Sequence, residues 1–192
     1  MVGRAYAGVL RRLILDYKFT GRVALAAPLQ HAALATWHAR KDLFPGNLGL
    51  ADRAPEPEVV VPVPLHPRRL KKRGFNQSLE IARPLAKLLS IPLDSEALKR
   101  IRHTQPQMSL AGSQRAGNVR GAFQADPGRV AGKVVLLVDD ITTTGATVAE
   151  AGRALMAAGA RAMDALVLAR TMEPWLQQGE PGLAPAESGG RP

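Results

Sequence analysis

The chain contains no cysteine among its 192 residues. This absence excludes disulfide bonds and thiolate metal sites such as zinc ribbons. None of the four histidines forms an HxxxH or HExxH pair, so we expect no structural metal and no zinc. No apolar run reaches the roughly 18 residues that a membrane span needs, and charged residues interrupt the apolar start of the chain. We therefore expect a cytoplasmic protein without a membrane span.

Aromatic and acidic residues are also scarce. Aromatics make up 4% of the chain, too few for a platform that stacks single-stranded nucleic acid. There are 16 Asp and Glu against 26 Lys and Arg, and the net charge is +10. Between Leu65 and Ala125, twelve cations stand against three acids. This concentration of positive charge predicts an anionic partner.

The length and the 46% hydrophobic content suit one main domain with appendages. Residues 1–43 form a predicted helical segment with two helices, and the Pro- and Gly-rich stretch 44–58 is a connection. Apolar runs predict buried strands at 59–63, 133–138 and 163–169, and helical spacing predicts helices at 76–89 and 146–158. Asn76 is the expected N-cap of the first of these helices, which Pro84 should kink or restart, and Gly159 should end the second.

Strands that alternate with helices predict a parallel α/β sheet over residues 58–172. A weaker strand is expected at 99–102. The polar, basic segment 103–121 is predicted to be mostly a loop, with a short helix at 114–118. Residues 175–192 lack the apolar content to fold and are predicted to be a disordered tail.

The sequence VVLLVDDITTTGAT, residues 134–147, places two carboxylates directly after an apolar run. In parallel sheets, ligands bind beyond the carboxyl ends of the strands, where the next helix begins. A turn at 142–147 offers backbone N–H groups and hydroxyls to a phosphate, and Gly145 lets the backbone approach closely. Asp139 and Asp140 can accept bonds from vicinal sugar hydroxyls, or help to hold Mg²⁺ through water. The predicted ligand is a ribose that carries a phosphate.

Three alternative roles for the acid pair fit the sequence less well. A P-loop ATPase needs GxxxxGK[ST], and GRVAGKV at 128–134 is one residue too short and lacks the hydroxyl after Lys133. A receiver-type phosphoacceptor pair belongs on the first strand, whereas this pair lies late in the chain. A helix cap accounts for one carboxylate but not for two followed by TTTGAT.

The apolar run, the two acids and TTTGAT together resemble the phosphoribosyl pyrophosphate (PRPP) signature of type I phosphoribosyltransferases. Two further features resemble the ComF family of competence-associated phosphoribosyltransferase-like proteins, over about Tyr6 to Arg170. One is PVPLHPRRLKKRGFNQSLEIARPLAKLL, from Pro62. The other is the series Arg100, Thr104, Gln107, Leu110, Arg115, Asn118, Gly121 and Phe123. The resemblance implies a three-layer α/β fold with a central parallel sheet, two N-terminal helices and a flexible hood.

The resemblance also implies roles for individual residues. Asp139 and Asp140 would hold the ribose hydroxyls as catalytic residues, with Mg²⁺ brought by PRPP and no direct protein metal site. The 5′-phosphate would bind Thr142, Thr143, Thr144, Gly145, Ala146 and Thr147. Pyrophosphate would bind Val63, Pro64, Leu65 and His66, with Arg68, Arg69 and Arg73 either neutralising it or forming a solvated basic face. A closing loop would use Arg102, Thr104, Gln107, Arg115 and Asn118.

Two hypotheses for function follow. In the first, the chain is an enzyme that transfers phosphoribosyl from PRPP to a nucleobase or another nitrogen nucleophile. In the second, it binds PRPP or a nucleotide without turnover, or assists DNA uptake, with single-stranded DNA or competence proteins as partners. A homodimer is compatible with both. Many ComF-type proteins carry an N-terminal zinc ribbon that this cysteine-free chain lacks, so Met1 is interpreted as a shortened start.

Overall fold

The computed structural model describes residues 2–5, 8–20, 25–43, 55–102 and 119–171. In chain order, these residues form β1 (Val2–Ala5), α1 (Gly8–Thr20), α2 (Ala26–Leu43), β2 (Val59–Pro62), α3 (Pro67–Arg73), α4 (Gln77–Leu89), β3 (Leu98–Arg100), β4 (Phe123–Ala125), α5 (Pro127–Val130), β5 (Val134–Thr142), α6 (Ala146–Ala157) and β6 (Ala162–Arg170). Among the described helices, none has the length and apolar character needed to cross a bilayer.

A four-stranded parallel sheet, in the order β1-β6-β5-β2, forms the centre of the fold. Val135 of β5 lies opposite Val59 of β2 on one side and opposite Met163 of β6 on the other. The predicted central parallel sheet is therefore confirmed. The edge strand β1, which pairs with β6, was not predicted, because four residues with no alternation carry no strand signal.

Alternate residues of β5 face two separate hydrophobic clusters. Leu136 and Val138 belong to the cluster formed with α1, α2 and α4, whereas Val135 and Leu137 belong to the cluster that includes Leu155 of α6. Successive side chains of a strand point to opposite faces, so an uninterrupted apolar run is what a strand covered on both faces requires. This arrangement confirms the three predicted layers.

Three local predictions need correction. The chain after β2 was predicted to be loop, but residues 67–73 form α3, with His66 as its N-cap and Gly74, at φ 83°, ending it. Helix α4 continues through Pro84 without restarting, and Asn76 caps it as predicted. The strand expected at 99–102 lies at Leu98–Arg100 and pairs in antiparallel fashion with β4. Strand β4 was not predicted, because its three residues, FQA, are too few to show a strand pattern.

Several predictions fall outside the described residues. They include the loop and short helix at 103–118 and the disordered tail at 175–192. The division into a segment 1–43 and a domain 58–172 stays a prediction. Phe75, which follows the basic run, packs its ring 4.8 Å from that of Tyr17, centroid to centroid, and so contributes to the hydrophobic core.

Candidate active site

The acid pair lies inside the central strand rather than after it. Strand β5 was predicted to end at residue 138, but it pairs with β6 as far as Thr142, which lies opposite Arg170. The prediction was wrong because the partner strand continues and supplies hydrogen bonds to the polar residues as well. Asp139 is 6% exposed and Asp140 8% exposed. Both carboxylates are thus carried by a strand that pairs with a neighbour on each side.

Each carboxylate is held by hydrogen bonds through its Oδ1. Asp139 Oδ1 accepts the hydroxyl of Ser78 at 3.0 Å and the backbone N–H of Asp140 at 2.9 Å. Asp140 Oδ1 accepts the backbone N–H of Ile141 at 2.7 Å. Buried charged groups need such partners, because an uncompensated carboxylate is costly to remove from water. The side chains are therefore oriented before any ligand binds.

The turn after β5 has the form that a phosphate-binding turn needs. It begins at Thr143 and not at Thr142, whose carbonyl accepts the N–H of Thr171 at 2.9 Å within the sheet. Gly145 has φ 80° and precedes α6 without a capping side chain. A Cβ at this position would meet no atom within 4 Å, so glycine is required for its backbone conformation and not for lack of space.

Helix α6 points its amino end at this turn. Thr144 Oγ1 accepts the N–H of Ala146 at 3.4 Å, and Ala146 and Thr147 form the first turn of the helix. The backbone N–H groups and the helix dipole at this end favour an anion. The residues predicted to bind the 5′-phosphate, apart from Thr142, are therefore together at one end of β5.

The predicted pyrophosphate loop lies beside the acid pair. Val63 donates its N–H to the carbonyl of Val138 at 2.9 Å, and its own carbonyl accepts the side-chain amide of Asn76 at 3.1 Å. His66, which follows Pro64 and Leu65, accepts the N–H of Arg68 at Nδ1, at 3.3 Å. The loop is thus fastened to β5 and to the N-cap of α4 at Val63, and it leads into α3 at His66.

The basic run in α3 divides between two faces of the helix. Arg69 and Arg73, one turn apart, are half-buried, whereas Arg68, Lys71 and Lys72 are exposed. Burial lowers the pKa of Arg73, and attraction to Asp140 opposes this shift. Burial also lowers the pKa of Arg69, and the charge of Arg73 adds to it. Arg69 and Arg73 therefore face the site, and Arg68 does not.

A third arginine, which was not predicted to belong to the site, faces the same place. Burial lowers the pKa of Arg100 to about 10, the charge of Arg69 adds to the shift, and Asp139 opposes it. The guanidinium carbon lies 5.2 Å from the centroid of the Phe123 ring. Arg100 stays protonated at neutral pH, so three cations converge on two carboxylates. The signal that could have indicated Arg100 was its place in the ComF-like series.

The amino end of α4 supplies further residues that were missed. Ser78 orients Asp139, and Gln77 Oε1 accepts a hydrogen bond from Arg73 Nη1 at 2.7 Å. Among the residues predicted to form the closing loop, Arg102 donates a hydrogen bond from Nη2 to the carbonyl of Arg120. The other four, Thr104, Gln107, Arg115 and Asn118, lie outside the described residues.

The carboxylates suit Mg²⁺ only as part of a shared coordination shell. Within the part of the chain that the structure describes, no group of three or more His, Cys, Asp or Glu is placed to hold a metal. Mg²⁺ takes carboxylate, phosphate and water oxygens and usually keeps several waters. Asp139 and Asp140 therefore fit an ion whose remaining ligands come from a bound diphosphate and from solvent.

Comparison with known proteins places the chain in a family. A family model described as the phosphoribosyl transferase domain matches residues 76–180, which include the acid pair, the turn and α6. The chain belongs to this family. The DNA utilization protein YhgH of Escherichia coli K12 is 39% identical over 168 residues, which cover 87% of this chain and 70% of that protein.

The resemblance to the ComF family is confirmed by a second relative. Competence protein F of Haemophilus influenzae is 34% identical over 116 residues, covering 59% of this chain and 51% of that protein. Among solved structures, adenine phosphoribosyltransferase from Leishmania donovani has a TM-score of 0.45, at 13% identity over 84% of this chain and 58% of that one. The family match and the sheet topology together identify the type I phosphoribosyltransferase fold.

Proposed function

We propose that this chain binds PRPP at the carboxyl end of β5 and transfers its phosphoribosyl group to a nitrogen nucleophile, with release of pyrophosphate. The observation that carries the proposal is the buried pair Asp139 and Asp140, followed by the turn at Gly145 and faced by three arginines. PRPP is a ribose with a phosphate at one end and a diphosphate at the other. The turn can donate to the phosphate, the carboxylates can accept from the ribose hydroxyls, and the arginines can donate to the diphosphate. Membership of the phosphoribosyl transferase domain family supports the same ligand.

In the proposed reaction, the bond between ribose C1 and the diphosphate oxygen breaks, and a bond between C1 and the acceptor nitrogen forms. The acceptor nitrogen loses its proton to solvent. Asp139 and Asp140 hold the ribose hydroxyls, and the turn at Thr143 to Thr147 holds the 5′-phosphate. Arg69, Arg73 and Arg100 stabilise the negative charge that grows on the departing diphosphate. Mg²⁺, when bound, would supply further neutralisation of that charge.

The test of this proposal is pyrophosphate release from PRPP in the presence of Mg²⁺ and a panel of purine and pyrimidine bases. We expect release with at least one acceptor, and binding of PRPP measurable by calorimetry in the absence of any acceptor. Binding without release would identify a PRPP-binding protein that lacks turnover. No heat on adding PRPP with Mg²⁺ would overturn the proposal as a whole.

A second candidate function is contact with a nucleic-acid backbone. The outer face of α3 presents Arg68, Lys71 and Lys72 to solvent, and no salt bridge among the described residues involves them. Uncompensated cations on one helix face favour a polyanion. The name of one relative, a DNA utilization protein, agrees with DNA as that polyanion.

Replacing Arg68, Lys71 and Lys72 together by Gln is expected to weaken binding of single-stranded DNA and to leave PRPP binding unchanged. Each phosphate contact to a single strand contributes about 0.7 to the slope of log affinity against log salt, so three contacts would reduce the slope by about 2. The slope is measured by fluorescence anisotropy at several salt concentrations. An unchanged slope in the triple variant would assign any DNA binding to another surface.

A further inference from the structure

The side-chain amide of Gln77 is buried and has a fixed orientation. Gln77 is 2% exposed and is the first residue of α4. Its Oε1 accepts a hydrogen bond from Arg73 Nη1 at 2.7 Å. A guanidinium can only donate, so the amide atom that faces Arg73 must be the oxygen. The Nε2 group therefore points away from Arg73.

The Nε2 of Gln77 is a buried donor that has no acceptor within the described part of the chain. Nearly all buried polar groups in folded proteins are paired, because a buried donor left without an acceptor has lost its hydrogen bonds to water and gained nothing in return. Methionine has nearly the same shape and would avoid this cost, although it would not accept the hydrogen bond from Arg73. The geometry therefore points to an acceptor that arrives with a ligand.

Three residues close to Gln77 in the chain belong to the candidate active site. Arg73, which fixes its amide, is attracted to Asp140. Ser78, the next residue, donates its hydroxyl to Asp139, and Asn76, the preceding one, donates to the carbonyl of Val63. The amino end of α4, where Gln77 lies, therefore contacts both the predicted pyrophosphate loop and the acid pair. The amino end of the 13-residue helix α4 adds partial positive charge there, which favours an anionic acceptor.

We propose that Gln77 contacts the ligand directly, with Nε2 donating a hydrogen bond to a diphosphate oxygen of PRPP. This inference rests on the function proposed above. We prefer a diphosphate oxygen to a ribose hydroxyl as the acceptor for two reasons. Gln77 is hydrogen-bonded to Arg73, and a guanidinium is suited to binding phosphate oxygens. The ribose hydroxyls, in contrast, can donate hydrogen bonds to the two carboxylates. The amide would thus hold Arg73 in place with one atom and bind the same anion with the other.

Gln77→Met tests the contact with two ligands, Mg²⁺-pyrophosphate and ribose 5-phosphate. Because hydrogen bonds to charged groups are strong, we expect affinity for pyrophosphate to fall about 10- to 100-fold. Affinity for ribose 5-phosphate should change by less than about 2-fold, since the turn at Gly145 is untouched. Gln77→Glu keeps an oxygen for Arg73 but has no donor, so it should not restore pyrophosphate binding. Gln124→Met, an exposed change in β4, is the matched control.

Two readouts separate direct contact from a structural role. The ligand-free Gln77→Met protein should unfold within a few degrees of the wild type, because the loss of the hydrogen bond to Arg73 is offset by the removal of a buried donor that has no acceptor among the described residues. The side-chain amide resonance of Gln77, assigned by its loss in Gln77→Met, should shift downfield when Mg²⁺-pyrophosphate is added to the wild type. A resonance that does not move, or equal loss of affinity for both ligands, would overturn the inference.

Failure of this inference can be told apart from failure of the proposed function. If the wild type binds neither PRPP nor pyrophosphate, the proposed function itself is wrong. If the wild type binds both and Gln77→Met binds them equally well, the site stands and Gln77 is not part of it. A marked fall in the unfolding temperature of ligand-free Gln77→Met would indicate a mainly structural role for the amide, and would also count against the ligand contact.

Discussion

Asp140→Asn is expected to abolish measurable turnover and to lower PRPP affinity by at least about 10- to 100-fold, the worth of one or two charge-assisted hydrogen bonds. The asparagine oxygen can still accept the N–H of Ile141, as Asp140 Oδ1 does at 2.7 Å. The second oxygen, however, becomes an NH₂ group, which donates where ribose hydroxyls need an acceptor. Calorimetry with PRPP and Mg²⁺ measures the affinity, and pyrophosphate release measures turnover.

Asp164→Asn is a matched control for this change. Asp164 Oδ1 accepts the N–H of Ala165 at 2.7 Å, the same local hydrogen bond that Asp140 makes with Ile141. It lies opposite Leu136, nearer the start of β6, and so away from the carboxyl edge of the sheet. PRPP affinity should match that of the wild type in Asp164→Asn. Equal affinities in both variants would show that the acid pair does not hold the ribose.

Arg100→Met is expected to weaken pyrophosphate binding by about 10- to 100-fold, because it removes charge-assisted hydrogen bonds to the diphosphate. Arg100→Lys should recover only part of this loss, since an ammonium cannot offer the paired N–H groups of a guanidinium. Lys99→Met is the control, because Lys99 is exposed and its side chain leaves β3 on the opposite face. Affinities are measured by calorimetry with Mg²⁺-pyrophosphate.

The pH dependence of binding gives an independent readout for Arg100. Its pKa is lowered to about 10 by burial in the ligand-free chain. A bound anion favours the protonated form of Arg100 and so raises its pKa. At a pH where Arg100 of the ligand-free protein begins to lose its proton, anion binding must therefore be accompanied by uptake of a proton. Pyrophosphate affinity should therefore decline as pH rises through about 10. Arg100→Met should lack this part of the decline, and an identical pH profile in both proteins would contradict the role.

Much of the central fold could be predicted because it depends on local patterns. The run of apolar residues at 134–138 indicates a strand covered on both faces, and the spacing in α6 followed by Gly159 indicates a helix and its end. The same pattern places the acid pair towards the carboxyl end of this strand, although the strand continues past it to Thr142. For this reason Asp139, Asp140 and the turn at Gly145 could be predicted from the amino-acid sequence to lie near one another.

The residues that were missed depend on contacts distant in sequence. Ser78 reaches Asp139 across 61 residues, and nothing near Ser78 in the sequence indicates that partner. Arg100 is one of many cations in the middle of the chain, and only the pairing of β3 with β4 turns it towards the site. The end of β5 was misplaced because β6 alone determines how far the pairing extends. Tertiary contacts, and not local preference, decided each of these features.

The function proposed for Arg69 and Arg73 depends on their spacing along helix α3 as well as on their charge. Arg69 and Arg73 are four residues apart, so both side chains leave the helix on the same side. Inserting one alanine between them would rotate Arg73 by about 100° around the helix axis. Such an insertion would leave the net charge unchanged, yet Arg73 would be turned away from the candidate active site.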